Sequence, residues 1–218
     1  MAKKDTHPKK KRESHASRVE KTRAIIIKAA FELMSKNGVA ATSIQDIAKR
    51  SKTSHPLVTY HFKTIDDVYF GVVQQIIEET RIAAAEAIRR PHEKQIDVLR
   101  AYSDAYFIWG KKNTSKLSLW MYFNFLCSFK EEYLKFGDEI RKIGRERITS
   151  ILTRGIALDE FPRMSSQDID DLSFAIQGLL TGNLVMTVSE THFPLEEAQR
   201  ITALQIERMV LGRNGIGQ

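Results

Sequence analysis

Between Ser43 and Lys63 the chain gathers side chains suited to reading the edge of another molecule: Ser43, Gln45, Ser54, His55, Thr59, Tyr60, His61 and Lys63, with Pro56 and Leu57 among them as small apolar faces. The Gln45 amide matches the donor and acceptor pair of adenine, His55 can donate to guanine, and Pro56 or Leu57 can meet a thymine methyl. Ser43, His61 and Lys63 suit phosphate oxygens, which set register without carrying sequence information. Reaction chemistry finds no comparable cluster. His7, His15, His55, His61, His92 and His192 stand at no metal-ligand spacing, and neither a phosphate-cradling glycine loop nor a nucleophile elbow occurs. An enzyme is therefore disfavoured, and no metal or cofactor is expected.

The elements that must present these residues are legible over 42–62. Ser43 followed by Asp46 is a capping-box pair, and Ile44, Ile47 and Ala48 recur at helical spacing, which predicts a two-turn helix with Gln45, Lys49 and Arg50 outward. The run Ser51-Lys52-Thr53-Ser54 breaks that pattern. Ser54 can cap a second helix with His55 and Pro56 in its first turn, where the missing proline N–H is harmless. Two short helices joined by so tight a turn form a helix-turn-helix, whose second helix enters the major groove of DNA.

The residues TSIQDIAKRSKTSHPLVTYHFKTIDDVY, preceded by AAFELMSKNGVAATS, resemble the N-terminal helix-turn-helix of the TetR family of transcriptional regulators. The likeness covers about the first third of the chain and rests on the lead-in helix, Gly38, Ile47-Ala48 and Tyr60-His61-Phe62. Three positions depart from the family's pattern. Lys52 stands where a turn glycine is usual, so the turn must hold a side chain, and its ammonium can approach a phosphate. Thr59 replaces a frequent tyrosine and Ile65 a frequent lysine, leaving two usual phosphate contacts unsupplied.

A chain of 218 residues, 42% hydrophobic, with a net charge of +7 can build a substantial core and favours an acidic polymer as partner. The positive excess lies at the front, in Lys3, Lys4, Lys9, Lys10, Lys11, Arg12, Arg18, Lys21 and Arg23. Residues 1–16 hold too little apolar surface to fold and are expected to be a flexible basic arm, either lying on DNA or simply solubilising. The single cysteine, Cys127, excludes an internal disulfide and reads as a small buried hydrophobe. The start lacks an apolar leader, and 117–129, the most apolar stretch, is too short to span a bilayer, so a soluble cytoplasmic protein is expected.

The remaining pattern is helical throughout, giving an all-α fold. A first helix over 17–37, with Ile26, Ala30, Leu33 and Met34 inward, ends at Gly38 and packs on the reading unit through Phe31, Leu33, Ile47, Leu57 and Phe62. A fourth helix starts at Thr64 or Asp66 and runs to Arg89, stopped by Pro91. Further helices are expected over His92–Lys112, over a wholly buried segment after an Asn113-Thr114-Ser115 cap, and from about Tyr133 to Gly155. Ser165 or Ser166 caps the next, on which Gly178 and Gly182 mark a closely packed side, and Pro194 opens the last, closed by Gly212. The expected domains are the arm 1–16, a three-helix DNA-binding domain 17–64 with its motif at 43–62, a larger helical effector-binding and dimerisation domain 65–212, and a tail 213–218.

One helix-turn-helix offers few base contacts, while control of one genomic site needs a discrimination of roughly 4 kcal/mol or more. A symmetric dimer supplies two recognition helices about 34 Å apart and predicts an inverted-repeat operator. The family resemblance implies that the last two helices pair with those of a second copy in a four-helix bundle. It also implies that a small, apolar or aromatic effector binds among the middle helices, for which Tyr102, Tyr106, Trp109, Trp120, Phe123 and Asn124 are the candidate lining, although such a stripe also describes plain core. Repression rather than activation follows from the resemblance alone. The competing readings are a nonspecific or architectural DNA-binding protein built on the arm, and an activator without ligand response.

Overall fold

The structure, a computed structural model, describes residues 15–212. Most of the expected arm and the whole of the 213–218 tail lie outside the described residues. Two compact units divide between Val72 and Val73.

The first unit contains α1 (His15–Asn37), α2 (Ile44–Ser51), α3 (His55–His61) and the opening turns of α4 (Ile65–Arg89). Helix α1 begins two residues before the expected Ser17, so His15 and Ala16 are helical rather than part of an arm. Gly38 ends it with φ +85, a left-handed conformation open to glycine without steric cost, and its N–H donates to Met34 at 3.0 Å. Ile26, Ala30, Met34, Ile47, Val58, Phe62, Val68 and Tyr69 form the core of this unit. Phe31 and Leu33 are only half-buried. Leu57, expected in that core, is 38% exposed, and Val58 takes its place at 0%, the phase of α3 being set by its packing on α2. Helix α4 starts on a reciprocal cap: Thr64 N–H donates to Asp67 Oδ2 at 2.9 Å, and Asp67 N–H donates to Thr64 Oγ1 at 3.1 Å.

The second unit holds the rest of α4 with α5 (Gln95–Lys112), α6 (Thr114–Leu126), α7 (Glu131–Ala157), α8 (Ser166–Ser189) and α9 (Leu195–Leu211). Helix α5 packs on α7, α8 and α9, α7 on α8, and α8 on α9, while α6 lies against α5, α7 and α8. The core these contacts close includes Leu99, Tyr102, Phe107, Leu117, Ile148, Leu152, Ile176, Ile206 and Val210. Across α8 and α9 the buried Asn183 amide donates to Thr202 Oγ1 at 2.6 Å, and that hydroxyl donates to the Ala198 carbonyl at 2.7 Å, so neither polar side chain is stranded.

Three expectations for this unit need correction. Helix α5 starts at Gln95, not His92, because His92 turns back to close the end of α4, its Nε2 lying 2.8 Å from the Ala87 carbonyl oxygen. Asn113 breaks the chain without capping α6, since its amide donates backward to the Trp109 carbonyl at 2.8 Å. Helix α6 is not buried on all sides: Tyr122, Phe125 and the following Phe129 are 37%, 57% and 70% exposed. Ser165 caps α8 in a full capping box with Asp168. Among the described residues α8, rather than 117–129, is the one helix long and apolar enough to cross a membrane by length and composition.

Candidate nucleic-acid interface and core cavity

Helix α3 exists because three local features agree. Ser54 sits extended at φ −89 and its hydroxyl oxygen accepts the Leu57 N–H at 3.3 Å, Pro56 occupies the first turn, and the Phe62 N–H closes the last turn on Val58 at 2.8 Å. Helix α2 is capped likewise by Ser43, whose Oγ accepts the Asp46 N–H at 3.2 Å and donates to Asp46 Oδ2 at 2.5 Å. That hydroxyl bond, ahead of the backbone bond, holds the Asp46 carboxyl below the usual carboxylate range. Between the helices, Lys52 takes the left-handed conformation at φ 55, the strain expected of a side chain in a glycine's place. Thr53 N–H donates to the Ala48 carbonyl at 3.0 Å, completing the turn.

The structure distributes the candidate reading residues unevenly. Ser54, His55, Pro56, Leu57 and Tyr60 are exposed at the start of α3 and along it, with Tyr60 at 72%. Gln45 and Ser43 are exposed at the start of α2, and Lys63 just beyond α3. Thr59 is half-buried and directs its hydroxyl back to the His55 and Pro56 carbonyl oxygens, both at 3.1 Å, which leaves only its lone pairs to a partner. His61 is half-buried, edge-on to Tyr60 with ring centroids 5.3 Å apart. Burial first, and the nearby Arg23 second, lower its pKa against the opposing pull of Glu20, so at neutral pH it presents a neutral imidazole rather than a cation. Arg23 itself lies over the Phe62 ring at 4.6 Å. The exposed bases that accompany this face are Lys49, Lys52 and Lys63, while Arg50 is tied to Glu32, with Nε 2.6 Å from Oε2.

The second unit contains a cavity of about 150 Å³, and Tyr102, Tyr106, Trp109, Trp120, Phe123 and Asn124 all contribute to its wall. The stripe on α5 meets the stripe on α6 there. The Tyr102 and Tyr106 hydroxyl oxygens lie 3.1 Å apart, and burial pushes both phenol pKa values up. The Asn124 amide donates to the Trp120 carbonyl at 2.9 Å, leaving its oxygen as the acceptor. Residues from α7 and α8 that the sequence did not mark complete the wall, among them Arg141, Arg147 and Gln177. Their spacing looks the same as that of polar residues on any solvated helix face, and only the fold turns them inward. Cys127 is buried outside this wall, its Sγ donating to the Tyr133 carbonyl at 3.4 Å, and burial pushes its thiol pKa up. Among the described residues no cluster of three or more metal-ligating side chains occurs.

Residues 26–72 match the family described as bacterial regulatory proteins, tetR family. The chain is 36% identical over 107 residues to an HTH-type transcriptional repressor of Mycobacterium tuberculosis, a match covering 46% of this chain and 57% of that protein. The chain thus spans little more than half the length of the curated relatives it matches. Among solved structures, a TetR transcription regulator from Haloarcula marismortui superposes with a TM-score of 0.77 at 15% identity, over 88% of this chain and 97% of that one. A transcriptional regulator from Saccharomonospora viridis in complex with choline gives a TM-score of 0.77 at 16% identity, over 89% of this chain and 100% of that one. At these identities the structural likeness speaks for the fold.

Proposed function

We propose that this chain, a member of the TetR family of bacterial transcriptional regulators, is a homodimeric repressor that reads an inverted-repeat operator through α3 and releases it on binding a small molecule. The observation that carries the reading is α3 itself: a capped helix whose inner side is anchored by Val58 and whose outer side offers His55, Pro56, Leu57 and Tyr60. A rod of that width fits a major groove, with Gln45 beside it for adenine and Ser43, Ser54, Thr59, His61 and Lys63 for the backbone or neighbouring bases. The repressor named among the relatives favours repression over activation. Operator control of this kind acts in the cytoplasm.

Support for the dimer comes from α8. Gly178 and Gly182 have nothing within 4 Å of where a Cβ would stand, and Phe174 on the same helix is 67% exposed. Two glycines in a helix interior weaken it by roughly 1 kcal/mol each relative to alanine, which close approach of a second copy's helices offsets. Support for the effector comes from the cavity, which sits among the middle helices of the second unit. By linkage, an effector that weakens operator binding is itself bound more weakly on the operator, by the same factor.

Competition binding tests the proposal. Affinity for one inverted repeat that survives excess bulk DNA is the expected result. Uniform affinity across sequences would replace the regulator with a nonspecific DNA-coating protein.

A further inference from the structure

The charge of the cavity wall narrows what can bind there. Arg81, Arg141 and Arg147 contribute to it, and among the described residues no aspartate or glutamate does. Two of these cations are balanced from outside the wall: Arg81 Nε lies 2.6 Å from Glu78 Oε2, and Arg141 Nη2 lies 2.9 Å from Asp138 Oδ1, both carboxylates being exposed. Arg147 is half-buried and, among the described residues, makes no ion pair or hydrogen bond. Its positive charge is felt by the Glu78 carboxyl, whose pKa it helps to lower behind Arg81, and by the Tyr102 and Tyr106 hydroxyls, where it opposes the rise that burial imposes on their pKa values.

The backbone of α7 is bare where polar heads rest on it. A Cβ at Gly137 would stand 2.8 Å from Arg141 Nη2, and one at Gly144 would stand 2.6 Å from Gln177 Nε2. Seven residues apart, these glycines share one face of the helix and give the guanidinium and the amide room to lie flat against it. Indole and phenol complete the wall, the Tyr102 hydroxyl reaching the Gly144 carbonyl oxygen at 3.5 Å. A space of about 150 Å³ is the size of an engineered cavity that takes up benzene.

We propose that the effector is an organic anion, a monocarboxylate with an apolar body about the size of one aromatic ring or a medium alkyl chain, its head on Arg147 and its body against Trp109 and Trp120. This rests on the reading of the chain as a ligand-responsive regulator. The carboxylate supplies the negative charge the wall lacks and gives Arg147 the hydrogen-bonded partner that Glu78, with both oxygens on Arg81, does not. The same charge pattern disfavours a quaternary ammonium such as the choline bound by the Saccharomonospora viridis structure, because guanidinium groups repel the cation that aromatic faces would attract.

Trp109 and Trp120 are the only tryptophans in the sequence, so intrinsic fluorescence of the full chain reports on the cavity without a label. Titrations would use octanoate and 3-phenylpropanoate, their uncharged amides, and choline. The expected result is saturable binding of at least one carboxylate, about tenfold or more tighter than its amide, with no response to choline. Arg147→Gln lowers carboxylate affinity to that of the amide and leaves amide affinity and the unfolding midpoint unchanged, while Arg147→Lys retains most of the preference. Equal binding of acid and amide, binding of choline, no response to either acid, or an Arg147→Gln protein that keeps the preference would each overturn the assignment. Repeating the titration with the selected operator separates the two ideas. A carboxylate that binds without changing operator affinity sinks the ligand-responsive reading alone, whereas an amide or choline that releases the operator sinks the anion alone.

Discussion

Val58 and Tyr60 stand two residues apart on α3, at opposite extremes of exposure, 0% and 72%. The helix thus has one side spent on holding it and one side free. Val58→Ala removes buried methyl groups and should lower the stability of the first unit by about 2 kcal/mol, read as a lower urea midpoint. Tyr60→Ala should leave that midpoint unchanged and weaken operator binding instead. A variant series in which stability and DNA affinity fall together at both positions would deny the division of labour.

Lys52 holds a left-handed conformation that a glycine adopts without strain. Lys52→Gly should therefore stabilise the first unit by about 1 kcal/mol, measured by urea unfolding. If the ammonium also meets a phosphate, the slope of log affinity against log salt becomes shallower by about one. A destabilised variant would show that this side chain makes contacts worth more than the strain it carries.

The half-buried His61 has its folded pKa below the ordinary histidine value of 6.5, chiefly through desolvation. The unfolded chain then binds the proton more readily than the native one, so stability rises with pH across this window. Acidification from 6.5 down through the lowered folded value should remove that contribution, and His61→Gln should flatten this part of the stability profile. Unfolding midpoints measured from neutral to mildly acid pH provide the check, and a wild-type profile that strengthens on acidification would contradict it.

Gly182 on α8 faces open space within one chain. Gly182→Ala should raise the helix's own stability by roughly 1 kcal/mol, whereas the bulkier Gly182→Leu should split the dimer. Sedimentation of the two variants beside Phe174→Glu tests this. Unchanged dimers in both Gly182→Leu and Phe174→Glu would move the interface away from this face of α8.

The reading unit was legible because its signals are local. Ser43, Gly38, Ser54 and Pro56 act within a turn of themselves, and each stands where its chemistry ends or starts a helix. Leu57 and Val58 were not separable, since adjacent apolar residues on a seven-residue helix leave the phase to be set by packing. The aromatic half of the cavity was legible as stripes on α5 and α6. The arginine half was not, because Arg141 and Arg147 belong to a helix rich in charge, and which of its cations turn toward a cavity is decided by α5 and α8 packing on it. The exposed rings of Tyr122, Phe125 and Phe129 escaped for the converse reason: apolar composition predicts burial, yet nothing in the second unit of one chain covers that end of α6.

Selection of bound fragments from random DNA by the purified protein bears most directly on the central claim. The account predicts enrichment of an inverted repeat whose half-site centres lie about one helical turn, or a whole multiple of it, apart, with sequence preference relaxed at the bases facing His55 and Tyr60 when those residues become alanine. A pool that shows no enriched motif, or a single motif without twofold symmetry that both alanine variants still select, would contradict it.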